Sequence, residues 1–460
     1  MRVTNRETAH QKVRNGAQHY LPHFLVAGVY LILGAQLFRL ISRNAVNILF
    51  WDQWEIDEAT LFQHHSIWEM FRWQHGPHRQ GLGALLQKLI EPWIHWNSHY
   101  EAFGIGAIIV IGAVLALLLK VRLYGTIGYS DVIIPCLFLT PRQWETIVLT
   151  ANPTHASMPL LLIVYCLCWL IRSYSWKYIC VLLANFLLIY NGYGILVGLV
   201  TAALLGLDYY GNTRHLAPKY RWGSGAALAI SVASVASFFV GYKFQSGVDC
   251  FSPAPGNPVL YLWFVALMLA HAVGLNILSL TFATLIGAIS LMLLLVALRV
   301  VVKRLLAARQ AGTWSRDAAI ATLLAYCALF CFNTAYGRLC LGLAAAGASR
   351  YAPYVVLGFF GLYLFALSNA NRTLSVSLVL VSLVFAMFCA RPLNRREARA
   401  MENMTEGKRA WRECYLVRRD IHECDALTHF QVHPQPEAIR LQEKLDFLER
   451  NRLNLYADSQ

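Results

Sequence analysis

AFGIGAIIVIGAVLALLLK, residues 102–120, decides the class of this chain. Its only charge is Lys120, at the end. Coiled as a helix rising about 1.5 Å per residue, it reaches across the roughly 30 Å hydrocarbon core of a bilayer. Comparable apolar runs recur at 22–42, 157–171, 223–242, 318–340, 351–369 and 373–390. Of 460 residues, 57% are hydrophobic and 14% charged, whereas soluble domains carry about a quarter charged residues. The composition predicts an all-α polytopic membrane protein, and the lack of period-two alternation argues against a β-barrel.

Outward from that run, a shorter apolar segment ends near Thr140. Residues 176–207 are apolar but broken by NGYG at 191–194, which suggests discontinuous or tilted helices around a cavity. With 258–276 read as re-entrant, about 11 transmembrane helices result (10–12). The polar arm 1–21 lacks a small-residue cleavage site, so 22–42 is expected to be a retained first span. The chain then divides into that arm, a membrane domain over 22–390 with a large first loop at 43–101, and a soluble helical tail at 391–460. In the tail, Ile439, Leu441, Leu445 and Leu448 recur near helical spacing. Seventeen Lys and Arg fall in the loops on the N-terminal side of the membrane and eight on the other, which places the N-terminus inside and the 43–101 loop and tail outside. The net charge of +14 then reports orientation, not nucleic-acid binding. Eight of the eleven cysteines, Cys340 among them, lie in apolar segments and read as small hydrophobes. Cys250, Cys414 and Cys424 have no metal-like spacing, and no disulfide framework is expected.

The chemistry concentrates in the first loop, in WDQWEIDEATLFQHHSIWEMFRWQHGPHRQ at 51–80. On a helix, Asp52 and Glu55 share a face, as do Glu55 and Glu58. A carboxylate at the membrane boundary beside Trp51 and Trp54 would be partly desolvated and a better base; the same residues also suit an interfacial helix with its acids in water and its tryptophans at headgroup level. His64, His65, His75 and His78 lack the helix-borne glutamate of a zinc protease motif. Arg79 could grip a phosphate bidentately with the histidines donating, or the segment with GLGALLQKLIEPWIHW after it could simply lie in the interface. Further along, Gln143 and Glu145 follow the third span, Arg338 sits in NTAYGRLC close to the hydrophobic zone, and Arg350 and Tyr351 sit in GASRYAP. Arg338 either meets a lipid phosphate or snorkels to the surface.

The order of these pieces is more specific than any one of them. D-x-W stands just outside span one, H-x-x-H-R at 75–79, Q-W-E after the third span, N-G-x-G mid-chain, G-R and S-R-Y late, and P-x-P and L-N-L-Y in the tail. This order resembles bacterial membrane proteins of the GT-C glycosyltransferase superfamily, including the glucosyltransferase-like proteins that decorate O-antigen and other cell-surface polysaccharides. The resemblance implies a GT-C-like arrangement in the bacterial inner membrane, with a periplasm-facing site. A sugar would pass from a polyprenyl-phosphate carrier to a glycan or lipid-linked acceptor, with inversion. Asp52 would be the base. His75, His78, Arg79, Arg338 and Arg350 would stabilise the leaving lipid phosphate; Glu55, Gln143 and Glu145 would orient sugar or acceptor, and Trp51, Trp54 and Tyr351 would stack on a sugar or anchor the loop. No organic cofactor is implied. The carboxylates would suffice for a divalent cation, Mg or Mn, without a diagnostic spacing. The chain departs from such relatives in having HGPHR where H-N-E-H-R is common, LTANPT after Q-W-E, and Gln53 where a second acid often follows the first. A polysaccharide polymerase or ligase, and a flippase of lipid-linked sugar, are the competing readings; no internal repeat supports the latter.

Overall fold

The computed structural model describes residues 4–63, 65–149, 152–213, 217–244, 257–275, 279–307 and 311–457; His64 and Cys250 lie outside the described residues. Helix α1 (Thr4–Asn44) runs through Pro22. In the first loop, α2 (Gln53–Asp57), α3 (Ile67–Phe71), a hairpin of β1 (Gln74–His75) and β2 (His78–Arg79), and α4 (Gly81–Ile90) follow in order. Helix α5 (Ser98–Tyr124) contains the 102–120 run. Its Asn97 cap accepts from the backbone N–H of His99 and Tyr100 at 2.9 and 3.3 Å, and Gly125, at φ +89°, ends it. A small residue lets one neighbour close in: a Cβ at Gly106 would press on Phe38 and Ile41 of α1.

After α6 (Ile133–Phe138), the bundle continues with α7 (Pro153–Trp169), α8 (Tyr174–Ile189), α9 (Ile195–Leu207), α10 (Pro218–Phe238), α11 (Val259–Ala272), α12 (Leu280–Ala307), α13 (Ala311–Arg338), α14 (Ala352–Leu367) and α15 (Arg372–Cys389). The tail adds α16 (Arg395–Arg418), α17 (Ile421–Thr428) and α18 (Leu441–Asn451). Among the described residues the protein is all-α apart from the hairpin, and six helices are long and apolar enough to cross a membrane: Tyr20–Asn44, Ser98–Tyr124, Leu280–Ala307, Thr313–Leu341, Ser349–Leu367 and Arg372–Cys389.

The expected short third span contains a fully buried helix of six residues, α6, packed among α1, α5, α14 and α15. Two sequence expectations are corrected. NGYG does not break one helix. It is the turn of the α8–α9 hairpin, where Gly192 adopts φ +57° and its N–H donates to the Arg79 carbonyl at 2.9 Å. The cysteines include disulfides: Cys414 pairs with Cys424 in the tail, and Cys340 is also disulfide-bonded. Helix α11 has both ends at the loop-bearing end of the bundle. Tyr261 stacks on Tyr336 near the C-terminus of α13, and Ala272 accepts from Cys389 Sγ at the end of α15.

A second hydrophobic core joins the first loop to the tail. Val46, Ile48, Leu49, Phe50 and Trp54 pack against Trp411, Tyr415, Leu441, Leu445 and Leu448. Asn454 fastens the tail further, its side chain donating to the Trp96 carbonyl at 2.6 Å while its own carbonyl accepts from Asn47 at 2.8 Å. Beneath this core, burial pushes the Asp57 carboxyl up to about 8, against the opposing hydrogen bond from Gln87 at 2.6 Å and the charge of Lys444. The folded chain thus keeps a proton that the unfolded chain releases near pH 4, so stability falls as pH rises from about 4 towards 8. Asp57→Asn is expected to flatten this dependence by on the order of 3 kcal/mol between pH 5 and 8, read as melting temperature at the two pH values. Parallel curves for variant and wild type would show that Asp57 is ionised in the fold.

Candidate active site

The site lies where the first loop, the α7 start, the α8–α9 turn, the segment joining α13 to α14 and the tail meet. Asp52 sits at the start of α2, exposed, with no side-chain cap bond. Its carboxylate is within electrostatic reach of His75, its neighbour in the hairpin, and of Arg350, almost 300 residues away in the chain. Glu55, one turn on, bonds His75 Nε2 through Oε2 at 3.2 Å and faces His433 Nε2 through Oε1 at 3.6 Å. The hydrogen bond to His75, against burial, holds the Glu55 carboxyl below its usual range. Burial alone would depress His75; the bond to Glu55 and the charges of Asp52 and Glu55 outweigh it and raise His75 above an ordinary histidine.

Behind His75 the chain builds an aromatic wall. His78 meets His75 and His155 edge-on at 6.1 and 5.8 Å between ring centres, and Tyr193 at a tilt at 5.1 Å. Burial, then the nearby His155, His75 and Arg338, keep His78 well below 6.5 and so neutral at neutral pH; its Nδ1 has no partner among the described residues. His155 bonds the Tyr354 hydroxyl, and Tyr193 is within electrostatic reach of Arg338 and Arg350. Tyr351 is buried edge-on against Phe330 at 6.2 Å. Glu145 positions Arg350: its two oxygens accept from the backbone N–H groups of Ser349 and Arg350 at 3.3 and 3.4 Å, and it pairs with the Arg350 guanidinium at 3.9 Å. Trp51 stays half-exposed beside Phe50, its φ positive and its N–H bonded to the Val432 carbonyl at 2.8 Å.

Three expected site residues do other work. Arg79 is 2% exposed. Its guanidinium donates to the Phe238 carbonyl at 3.1 and 2.7 Å, to Val240 at 3.0 Å and to Arg72, and lies over the rings of Tyr190, Phe238 and Tyr242. With its donors spent on these carbonyls it faces no phosphate; the alternation of the β-hairpin turns its side chain away from His78. Trp54 is wholly buried in the loop–tail core, stacked on Phe62. Gln143 is buried and donates to the Phe138 carbonyl at 2.8 Å, closing the turn after α6. In the other direction, sequence reasoning passed over His155, Tyr193, Tyr354 and His433. The only sequence signal for His155 and His433 is a titratable side chain within two residues of a proline, in NPTHA and VHPQP.

Next to Arg350 a cavity of about 860 Å³ opens. Leu267 of α11, Leu280 and Ala283 of α12, and Leu343 and Ala344 form an apolar wall, Arg395 and Arg396 edge it, and Glu145 and Ser349, the pair that holds Arg350, line it too. Leu280 is itself exposed on the outside of the bundle. Among the described residues, no group of three or more His, Cys, Asp or Glu side chains is disposed to hold a metal ion. Comparison of the chain with models of known protein families and with curated proteins finds no match.

Proposed function

We propose that this protein is an inverting GT-C-type glycosyltransferase that moves a sugar from a polyprenyl-phosphate carrier to a glycan or lipid-linked acceptor at the outer face of a bacterial inner membrane. The observation that carries the reading is the electrostatic reach of Asp52 to His75 and Arg350, with Arg338 in reach of His78 and Tyr193, and a cavity with an apolar wall lined also by Glu145 and Ser349, the pair that holds Arg350. Groups almost 300 residues apart in the chain are brought together, which a merely interfacial loop has no reason to bring about. Asp52 takes the proton of the acceptor hydroxyl, and that oxygen bonds the anomeric carbon. The carbon–oxygen bond to the carrier breaks, and its electron pair leaves on the phosphate. Arg338 and Arg350 stabilise the charge that develops on the leaving group, and the apolar wall takes the start of the polyprenyl chain. The short apolar helices complete about eleven crossings together with the six long ones. The disulfides of the tail and of Cys340, at the loop-bearing end, fit an oxidising compartment on that side.

In liposomes, the purified protein is expected to release polyprenyl phosphate from a labelled polyprenyl-phosphate hexose only when acceptor glycan is added; release that ignores the acceptor, or none across a panel of hexoses, sinks the reading. Arg350→Ala is expected to raise the KM for donor about tenfold or more, with the melting temperature nearly unchanged, since this side chain is 48% exposed and surface truncations cost within about 0.5 kcal/mol. An unchanged donor dependence would remove Arg350 from the phosphate site.

A further inference from the structure

The C-terminal tail reaches Glu55 through His433, and we infer that His433 is a positioning residue for the transfer: its Nε2 faces Glu55 and restrains it so that Glu55 fixes the ring of His75 beside Asp52. The inference rests on the transferase reading above.

The segment that carries His433 is anchored to the start of the first loop at two points. The Trp51 N–H donates to the Val432 carbonyl at 2.8 Å, and Phe430 stacks on Phe50 at 5.5 Å. Pro434 and Pro436 on either side of Gln435 restrict the backbone there. Inside this frame the Gln435 N–H donates to His433 Nδ1 at 3.1 Å. That nitrogen is therefore the acceptor, and in the neutral ring the proton sits on Nε2, the atom facing Glu55 Oε1 at 3.6 Å. The His433 side chain is 7% exposed, so little water competes for the contact. The second oxygen of Glu55 is taken by His75. One carboxylate is thus held from both sides, by a hairpin imidazole and a tail imidazole. Without the tail imidazole, the half-exposed Glu55 side chain is free to turn into solvent and leave His75 unheld. A structural role alone would be met by any side chain filling the same space, because the neighbouring core of Phe50, Phe430 and Val432 does not need a donor at Nε2.

The titratable groups within electrostatic reach of His75 include Asp52, Glu55, His78 and His155, and its titration reports their arrangement. In full-length protein with ¹⁵N-labelled histidine, His433→Ala is expected to lower the His75 pKa by about half a unit or more as Glu55 is released. The same variant is expected to cut kcat about tenfold or more with KM for donor within twofold, and His433→Gln, whose amide still donates, to restore most of both. An unchanged His75 titration in His433→Ala, or equal losses in the Ala and Gln variants, overturns the proposal. If the His75 shift appears but wild-type protein transfers no sugar, the clamp stands and the transferase reading falls. If wild type transfers and the variants match it, the clamp falls alone.

Discussion

Asp52→Asn is expected to lower transfer by about 10²–10⁴-fold, the range a positioned general base contributes, while leaving the folded protein intact. Asp52 holds nothing up in the fold. Its side chain is exposed and caps no backbone N–H of α2, so the isosteric amide removes proton affinity and little else. A surface change of this kind costs within about 0.5 kcal/mol, and thermal unfolding of the variant is expected to overlay that of wild type. Donor should still bind, because Arg338, Arg350 and the apolar wall are untouched. The variant should also lower the His75 pKa, since the Asp52 charge is one of the forces that raise it. Turnover near wild type in a folded Asp52→Asn protein would take Asp52 out of the mechanism, leaving Glu55 as the remaining acid beside His75.

Arg79→Ala is expected to cost about 3–5 kcal/mol, the penalty for breaking a buried, multiply bonded cation's contacts. Two carbonyls would lose their side-chain donor, that of Phe238, where α10 ends, and that of Arg72, after α3, while the Val240 carbonyl would keep only the bond from Arg72. Three rings would lose the guanidinium they pack around. Because the Arg79 carbonyl also receives the Gly192 N–H, loosening β2 would loosen the α8–α9 turn that carries Tyr193. Arg79→Lys should recover only part of the loss, since an ammonium cannot reproduce a planar fork spread over three carbonyls. The measurement is thermal unfolding with limited proteolysis of the first loop. An Arg79→Ala protein that melts like wild type and only binds donor less well would return Arg79 to the phosphate.

These two residues were given opposite weights by their surroundings, although in the sequence they look alike as charged groups in one polar loop. Asp52 could be singled out from the linear order of motifs, because an acid that opens the loop directly after a span lies at the membrane boundary whatever the loop does next. Arg79 could not be, because phosphate grip and backbone clamp call for the same guanidinium, and only the end of α10, some 160 residues on, supplies the carbonyls that distinguish them. Trp54 and Gln143 follow the same logic. An aromatic or amide beside an acid reads as sugar-binding until a partner element covers it, here the tail for Trp54 and the turn after α6 for Gln143.

The sequence by itself determined that this chain is an all-α membrane protein, because the free energy of placing long apolar runs in lipid depends on composition and length, both local quantities. It also determined that charged chemistry would gather in the 51–80 loop, since the apolar helices have few such groups. Only the tertiary structure decided which of those groups face one another. It brought Arg350 to Asp52, joined the tail to the loop through His433 and the core around Trp54, and turned Arg79 inward. Those outcomes depend on contacts between residues hundreds of positions apart, whose energies are fixed by packing and hydrogen-bond geometry and leave no periodic mark on the chain.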